Sequence, residues 1–253
     1  MERHPHIHLF DTSKKWEYLI IGTFPPNTSL RHPDKLYIDY FYGNAGTLWK
    51  IIHDIYHDRG YDFFKGTRSE NREEIIRWQN DYCVGLSDTI LSCERKVPKS
   101  TNDSDIIIDK YNSDLRDYIL ENKTRLQKII FTSSYGKNSA YENFKVIMGE
   151  NISGISSKLV IGLPSPSGSA NITFFNTNTE ETLGLTRDFF NFVNNQYPET
   201  LIAFEKRWEQ KKQKNKLPPG KREAAIVDAT PKGLVTKFKL WKYTTALPQK
   251  KCK

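Results

Sequence analysis

The stretch Trp16-Glu17-Tyr18-Leu19-Ile20-Ile21, followed at once by Gly22-Thr23-Phe24-Pro25-Pro26, decides the fold class. An apolar run of strand length that stops at a glycine and two prolines is the pattern of a buried strand ended by a tight loop. Working outward, Thr47 to His57 sets Leu48, Ile51, Ile52 and Ile55 at helical spacing, and Glu70 to Asn80 reads as a second helix that can bury Ile75, Ile76 and Trp78. Val84 to Leu91 is an apolar segment interrupted by Asp88. Ile106 to Leu126 is expected to be an amphipathic helical region, Lys128 to Thr132 a buried strand, Gly136 to Met148 a helix and Leu159 to Ile161 a further strand. Glu180 to Asn195 and Thr200 to Lys214 are expected as late helices. Strands alternating with helices predict an α/β protein, a three-layer α/β/α arrangement around a mostly parallel sheet of about four strands. A basic C-terminal extension follows. In such sheets ligands sit outside the carboxyl ends of the strands. Two loops take that position, Gly22 to Leu30 and Leu163 to Asn171.

The chain has 253 residues and a net charge of +8. From Glu205 to Lys253 there are 15 Lys and Arg against 4 Asp and Glu, while the rest of the chain is slightly acidic. This predicts an α/β domain over 1–204 and a basic helix and tail over 205–253, a phosphate-binding arm or a solubilising or disordered tail. No apolar run is long enough to span a membrane and no apolar leader is visible, so no membrane partner is expected. Cys83, Cys93 and Cys252 are scattered and form no CxxC pair, which argues against a zinc ribbon or iron–sulfur cluster. Their odd, sparse count fits a reducing cytosol, and a cytoplasmic location is expected. His4, His6 and His8 alternate, which could set three imidazoles on one strand face; an N-terminal edge strand is the plainer reading, and no metal is assigned. Lys137 after Gly136 lacks the glycine-rich run of a phosphate loop.

The loop Leu163-Pro164-Ser165-Pro166-Ser167-Gly168-Ser169-Ala170-Asn171 leaves a short apolar run. Small hydroxyls and exposed backbone N–H groups suit phosphate oxygens, and the prolines stiffen the loop before any ligand is gripped. The same composition also makes an ordinary turn between two core elements.

Gly22-Thr23-Phe24-Pro25-Pro26 after one strand and Leu163-Pro164-Ser165-Pro166-Ser167 after a later one resemble the paired motifs of the uracil-DNA glycosylase superfamily. Tyr40-Phe41-Tyr42-Gly43-Asn44 with Leu48-Trp49-Lys50, Leu86-Ser87-Asp88 running to Ser92-Cys93-Glu94-Arg95, and Ile129-Ile130-Phe131-Thr132-Ser133 with Gly136-Lys137 are similar to segments of its hypoxanthine-DNA glycosylase branch, the family 6-like one. Five motifs in the same order cover about residues 15 to 195.

The resemblance implies a monofunctional DNA glycosylase. Such an enzyme flips an altered base out of duplex DNA and hydrolyses its N-glycosidic bond without a cofactor. It implies a base pocket of Gly22, Thr23, Phe24, Pro25, Tyr42 and Gly43, and DNA contacts from Pro164, Ser165, Ser167, Gly168, Ser169 and Asn171. The sequence departs from the superfamily pattern: the spacing around Asn44 is one residue shorter than the branch's, the Leu163 loop is one or two residues longer, and two key positions differ. Phe24 stands where many relatives carry a catalytic Asp or Asn, and Leu163 where many carry His; the hypoxanthine branch shares both departures. Asn44 is the nearest amide that can hold the water, and Asp88 is the alternative. Asp88 is either a locally satisfied acceptor or a functional carboxylate. The substrate base stays open among uracil, hypoxanthine and a hypermodified pyrimidine of phage DNA. The expected partner is duplex DNA, bound by a monomer, and the resemblance makes the basic segment 205–253 a DNA-binding appendage. Trp241 and Tyr243, set among lysines, either stack on unpaired bases or pack the tail onto the body. A catalytically inactive module that binds flipped or modified bases is the alternative function.

Overall fold

The structure, a computed structural model, describes residues 1–26, 38–43, 47–98, 100, 103–167, 180–200, 202–203, 206, 209–210 and 233–252. The chain forms two compact units, Met1–Pro166 together with Tyr243–Lys253, and Ser167–Lys242.

The first unit contains β1 (Glu2–Arg3), β2 (Tyr18–Gly22), α1 (Thr47–Tyr56), α2 (Arg68–Tyr82), β3 (Val84–Asp88), β4 (Ile90–Arg95), β5 (Ile106–Tyr111), α3 (Ser113–Asn122), β6 (Lys128–Phe131), α4 (Ala140–Met148) and β7 (Leu159–Val160). Strands β3, β2, β6 and β7, in that order, make a four-stranded sheet with every pair parallel. Leu19 and Ile21 of β2 register with Ile129 and Phe131 of β6. All four face a core completed by Leu115, Tyr118 and Ile119 of α3 and by Phe144 and Met148 of α4. Ile20 and Ile130 point to the opposite side and are just as fully buried. With both faces covered, the strands can be continuous apolar runs, which is why they are visible in the sequence. The result is the expected three-layer α/β/α arrangement.

Helices α1 and α2 interlock through rings, with Trp49 and Trp78 centroids 6.1 Å apart and Tyr56 5.4 Å from Trp78. Helix α2 starts at a capping box: the Thr67 hydroxyl accepts from the Glu70 amide, and the Glu70 carboxylate accepts from the Thr67 amide at 2.7 Å.

A second sheet, β1-β4-β5, is antiparallel and was not expected. The segment Ile106 to Leu126 accordingly corrects the sequence reading. Ile106–Tyr111 pairs with β4, and only Ser113–Asn122 is helical. Asn112 separates them as an N-cap whose side chain accepts from the Leu115 amide.

The last residues of the chain, from Tyr243, belong to the first unit. Tyr56 donates to Pro248 O at 2.5 Å, Arg59 to Gln249 O at 2.8 Å, and Lys251 pairs with Asp81 at 2.7 Å. Cys252 and Cys83 form a disulfide with Cα atoms 5.9 Å apart, so two of the three scattered cysteines are partners. Cys93 is the free one, buried in the small sheet.

The second unit contains α5 (Glu180–Gln196) and the part of α6 (Leu234–Ala246) that runs to Lys242. Phe189 and Phe192 of α5 pack on Phe238 of α6 at 5.4 and 5.6 Å. The helix expected over Thr200 to Lys214 falls largely outside the described residues. No helix among the described residues is long and apolar enough to cross a membrane.

Candidate functional site

Strands β2 and β3 end side by side, with Gly22 in register with Asp88, and the amide of Thr132, just past β6, donates to Ile21 O at 3.0 Å. The carboxyl edge of the sheet therefore brings Gly22, Asp88 and Thr132 together. This is the crevice position of a parallel α/β sheet.

Asp88 is 4% exposed and His4 is 7% exposed. The short strand β1 lies on β4, and the amide of His4 donates to Leu91 O at 2.9 Å, which carries the imidazole back over the end of β3. His4 Nε2 lies 2.6 Å from Asp88 Oδ2. The tautomer follows from the other ring nitrogen. The backbone amide of His6 donates to His4 Nδ1 at 3.1 Å, so Nδ1 is the acceptor and Nε2 carries the proton given to Asp88. Both nitrogens are engaged, and the three N-terminal histidines do not share a ligand-ready face. Phe24 and Phe41 hold the imidazole, each with its centroid 5.5 Å away.

The second carboxylate oxygen, Asp88 Oδ1, is buried and has no hydrogen-bond partner among the described residues. The Tyr42 hydroxyl, which crowds Gly22 together with Oδ1, is committed elsewhere. Thr132 Oγ1 donates to Ile21 O at 3.3 Å and so accepts from Tyr42 at 2.8 Å, which turns the Tyr42 proton away from Asp88. Burial, helped by the nearby Asp88 charge, raises the Tyr42 pKa and keeps that proton in place. A buried acceptor left unmet costs about 1–3 kcal/mol, which makes Oδ1 the unmatched polar atom of this edge.

The crowding here dictates glycine. A Cβ on Gly22 would sit 1.6 Å from the Tyr42 hydroxyl and 2.3 Å from Asp88 Oδ1. Tyr42 itself adopts φ 55, on a turn held by the Trp49 indole donating to Phe41 O at 2.6 Å. Gly43 closes that turn, its amide donating to Tyr40 O at 3.1 Å, where a Cβ would strike Ile38 O.

Asp103 supplies a second carboxyl group. Its residue surface is partly exposed, but the carboxyl is enclosed by protein, and burial raises its pKa to about 6. The Asp88 charge pushes in the same direction, while a hydrogen bond with Thr23 and the Arg95 guanidinium work against it. Thr23 also meets the Ser133 hydroxyl at 3.2 Å. Arg95 donates to Pro25 O at 3.0 Å and to Glu2 at 2.9 Å, fixing both the loop after β2 and the start of β1. Its Nη1 is buried without a partner among the described residues. Asp88 and Asp103 thus differ in environment, one held as an acceptor by His4 and the other inclined to keep a proton.

The structure therefore brings together Gly22, Thr23, Phe24, Pro25, Tyr42, Gly43 and Asp88. Phe24 is packed against Ile90, Cys93 and Ile106 as well as His4, so its ring is a wall rather than an open stacking face. Asn44, Gly168, Ser169 and Asn171 lie outside the described residues. Pro164 is buried in the first unit, where its carbonyl accepts from Tyr243 at 3.3 Å. Ser165 is partly exposed. In the second unit Ser167 O accepts from Lys239 Nζ at 2.9 Å, and burial lowers the Lys239 pKa to about 8. Tyr243 is fully buried and packs the chain end; Trp241, in the second unit, is 45% exposed.

His4, Asp103 and Thr132 were missed at the sequence level. Asp103 sits in a run of polar residues with no local pattern, and His4 gains its role only from a partner 84 residues away.

The fold and site define a parallel α/β protein with a buried carboxylate–imidazole pair at the carboxyl edge of its sheet. Comparison with family models, curated proteins and solved structures gives no match.

Proposed function

We propose that this protein is a monofunctional DNA glycosylase of the uracil-DNA glycosylase superfamily, acting on an altered or modified base flipped out of duplex DNA. The observation that carries the reading is Asp88: a buried carboxylate with one oxygen held by His4 Nε2–H and the other unmatched, at the carboxyl edge of a parallel sheet. Hydrolysis of an N-glycosidic bond needs a water held on the far face of an oxocarbenium-like sugar, and a group that relieves negative charge on the departing base.

In this proposal Asp88 Oδ1 accepts a hydrogen bond from the water and takes its proton as the water oxygen bonds to the sugar C1′. His4 keeps the carboxylate aimed. Asp103, with its raised pKa, gives a proton to the leaving base as the C1′–N bond breaks. Leu163 has no polar side chain with which to assist. Tyr42 and the loop Gly22 to Pro25 line the base pocket. The loop from Pro164 and Ser165 to Ser167, the net charge of +8 and the exposed Trp241 support DNA as the partner. A monomer goes with the proposal, as does operation without a cofactor.

Duplexes carrying uracil, hypoxanthine and hypermodified pyrimidines, incubated with the protein and then treated with alkali, test it. Strand breaks at one class of base are expected. Tight binding with no breaks on any substrate would instead establish the inactive base-binding module.

A further inference from the structure

We propose that His53, His57 and Asp62 form a binding site for a divalent transition-metal ion, zinc foremost, separate from the carboxyl-edge site. The residues are assembled by local chain geometry. His53 lies in α1, and His57 opens the 3-10 turn His57–Arg59 that continues it, so the two are four apart on one helical face. Their ring centroids are 4.8 Å apart. Gly60, at φ 89, then turns the chain back, and Asp62 meets the pair. One ligand atom from each of the three residues lies within 4.8 Å of the others.

The spacing fits the metal. Tetrahedral zinc with bonds near 2.0–2.2 Å sets neighbouring ligand atoms about 3.3–3.5 Å apart. His53 Nε2 and Asp62 Oδ1 are 3.4 Å apart. The remaining edges close by a small movement of His57, which is the most exposed of the three.

The outer contacts point the same way. His53 Nδ1 faces Asp54 Oδ1 at 3.4 Å, and His57 Nδ1 faces Asp58 Oδ1 at 3.5 Å. Drawn onto Nδ1, such a carboxylate would leave Nε2 as the ligand nitrogen and raise its basicity, the usual support for a metal-bound imidazole. The Phe64 amide donates to Asp62 Oδ1 at 3.1 Å and orients that carboxylate. Two imidazoles and one carboxylate suit zinc, cobalt or nickel rather than magnesium or calcium, which prefer all-oxygen sets. Three protein ligands leave a fourth position for water. A bound ion would tie the end of α1 to the segment leading into α2.

The test uses the full chain stripped with a chelator. Zinc is titrated calorimetrically and cobalt(II) is followed by its visible absorption, for the wild type, His57→Ala and Asp62→Asn, with circular dichroism to show that each variant is folded. One-to-one binding is expected, with an intense tetrahedral cobalt spectrum, a higher melting temperature with zinc, and affinity about tenfold or more weaker in each variant. Wild-type binding too weak to measure, or binding equal in His57→Ala, overturns the proposal; the latter places the ion on other residues.

Discussion

The carboxylate of Asp88 accepts from His4 Nε2 at 2.6 Å across 84 residues of chain. Because the His6 amide occupies Nδ1, His4 donates through Nε2 and aims the carboxylate, which in the proposed reaction makes it a positioning residue rather than a base. His4→Ala is expected to lower the single-turnover rate of base release by about ten- to a hundredfold with DNA affinity unchanged, and His4→Gln, which keeps a donor, to recover part of it. A rate unchanged in His4→Ala, or an equal loss in DNA affinity, removes His4 from that role.

Gly22 is required by the atoms around it rather than by its backbone angles. A methyl group there meets the Tyr42 hydroxyl and Asp88 at once. Gly22→Ala should destabilise the protein by about 1–3 kcal/mol in urea unfolding and abolish site function. Gly22→Ala with Tyr42→Phe, which removes the nearer oxygen, should recover part of the stability.

Asp103 makes stability depend on pH in a defined sense. Its folded value of about 6 lies above the ordinary 3.8, so the folded state holds the proton more tightly than the unfolded chain. The group favours folding below pH about 4, and that contribution fades as pH rises through about 6. Asp103→Asn should therefore gain on the order of 1–2 kcal/mol over the wild type at pH about 7.5 and nothing at pH about 4, allowing for partial solvent screening. Paired urea titrations at the two pH values measure this.

The Cys83–Cys252 link closes a loop of 169 residues and anchors the chain end to the C-cap of α2. Reduction, or Cys252→Ser, is expected to cost about 2–4 kcal/mol, near the lower figure because Tyr56, Arg59 and Lys251 also hold the end. Melting temperatures with and without reductant check it.

The parallel sheet was legible because strands buried on both faces are unbroken apolar runs, as at Leu19 to Ile21 and Ile129 to Phe131. Ile106 to Leu126 reads as one helical element because three isoleucines run into a later helical pattern; the Asn112 cap between strand and helix is the signal that splits it. β1 has two residues and acquires meaning only by lying on β4, so His4 could not be placed at Asp88 from the sequence. Asp88 itself was legible, as a carboxylate in an apolar segment. The charge run at the end of the chain reads as a basic appendage or solubilising tail, and Tyr243, Pro248 and Cys252 hold its last turn in the first unit through contacts with residues more than 75 positions away.

The most direct measurement of the central claim is mass-spectrometric detection of free base from modified duplex DNA, with wild-type protein and with Asp88→Asn compared under single-turnover conditions. The account predicts release of an intact base with an equal amount of abasic DNA, and a rate lowered about a hundredfold or more in Asp88→Asn while DNA binding is retained. No free base from any substrate, or release undiminished in Asp88→Asn, would contradict it.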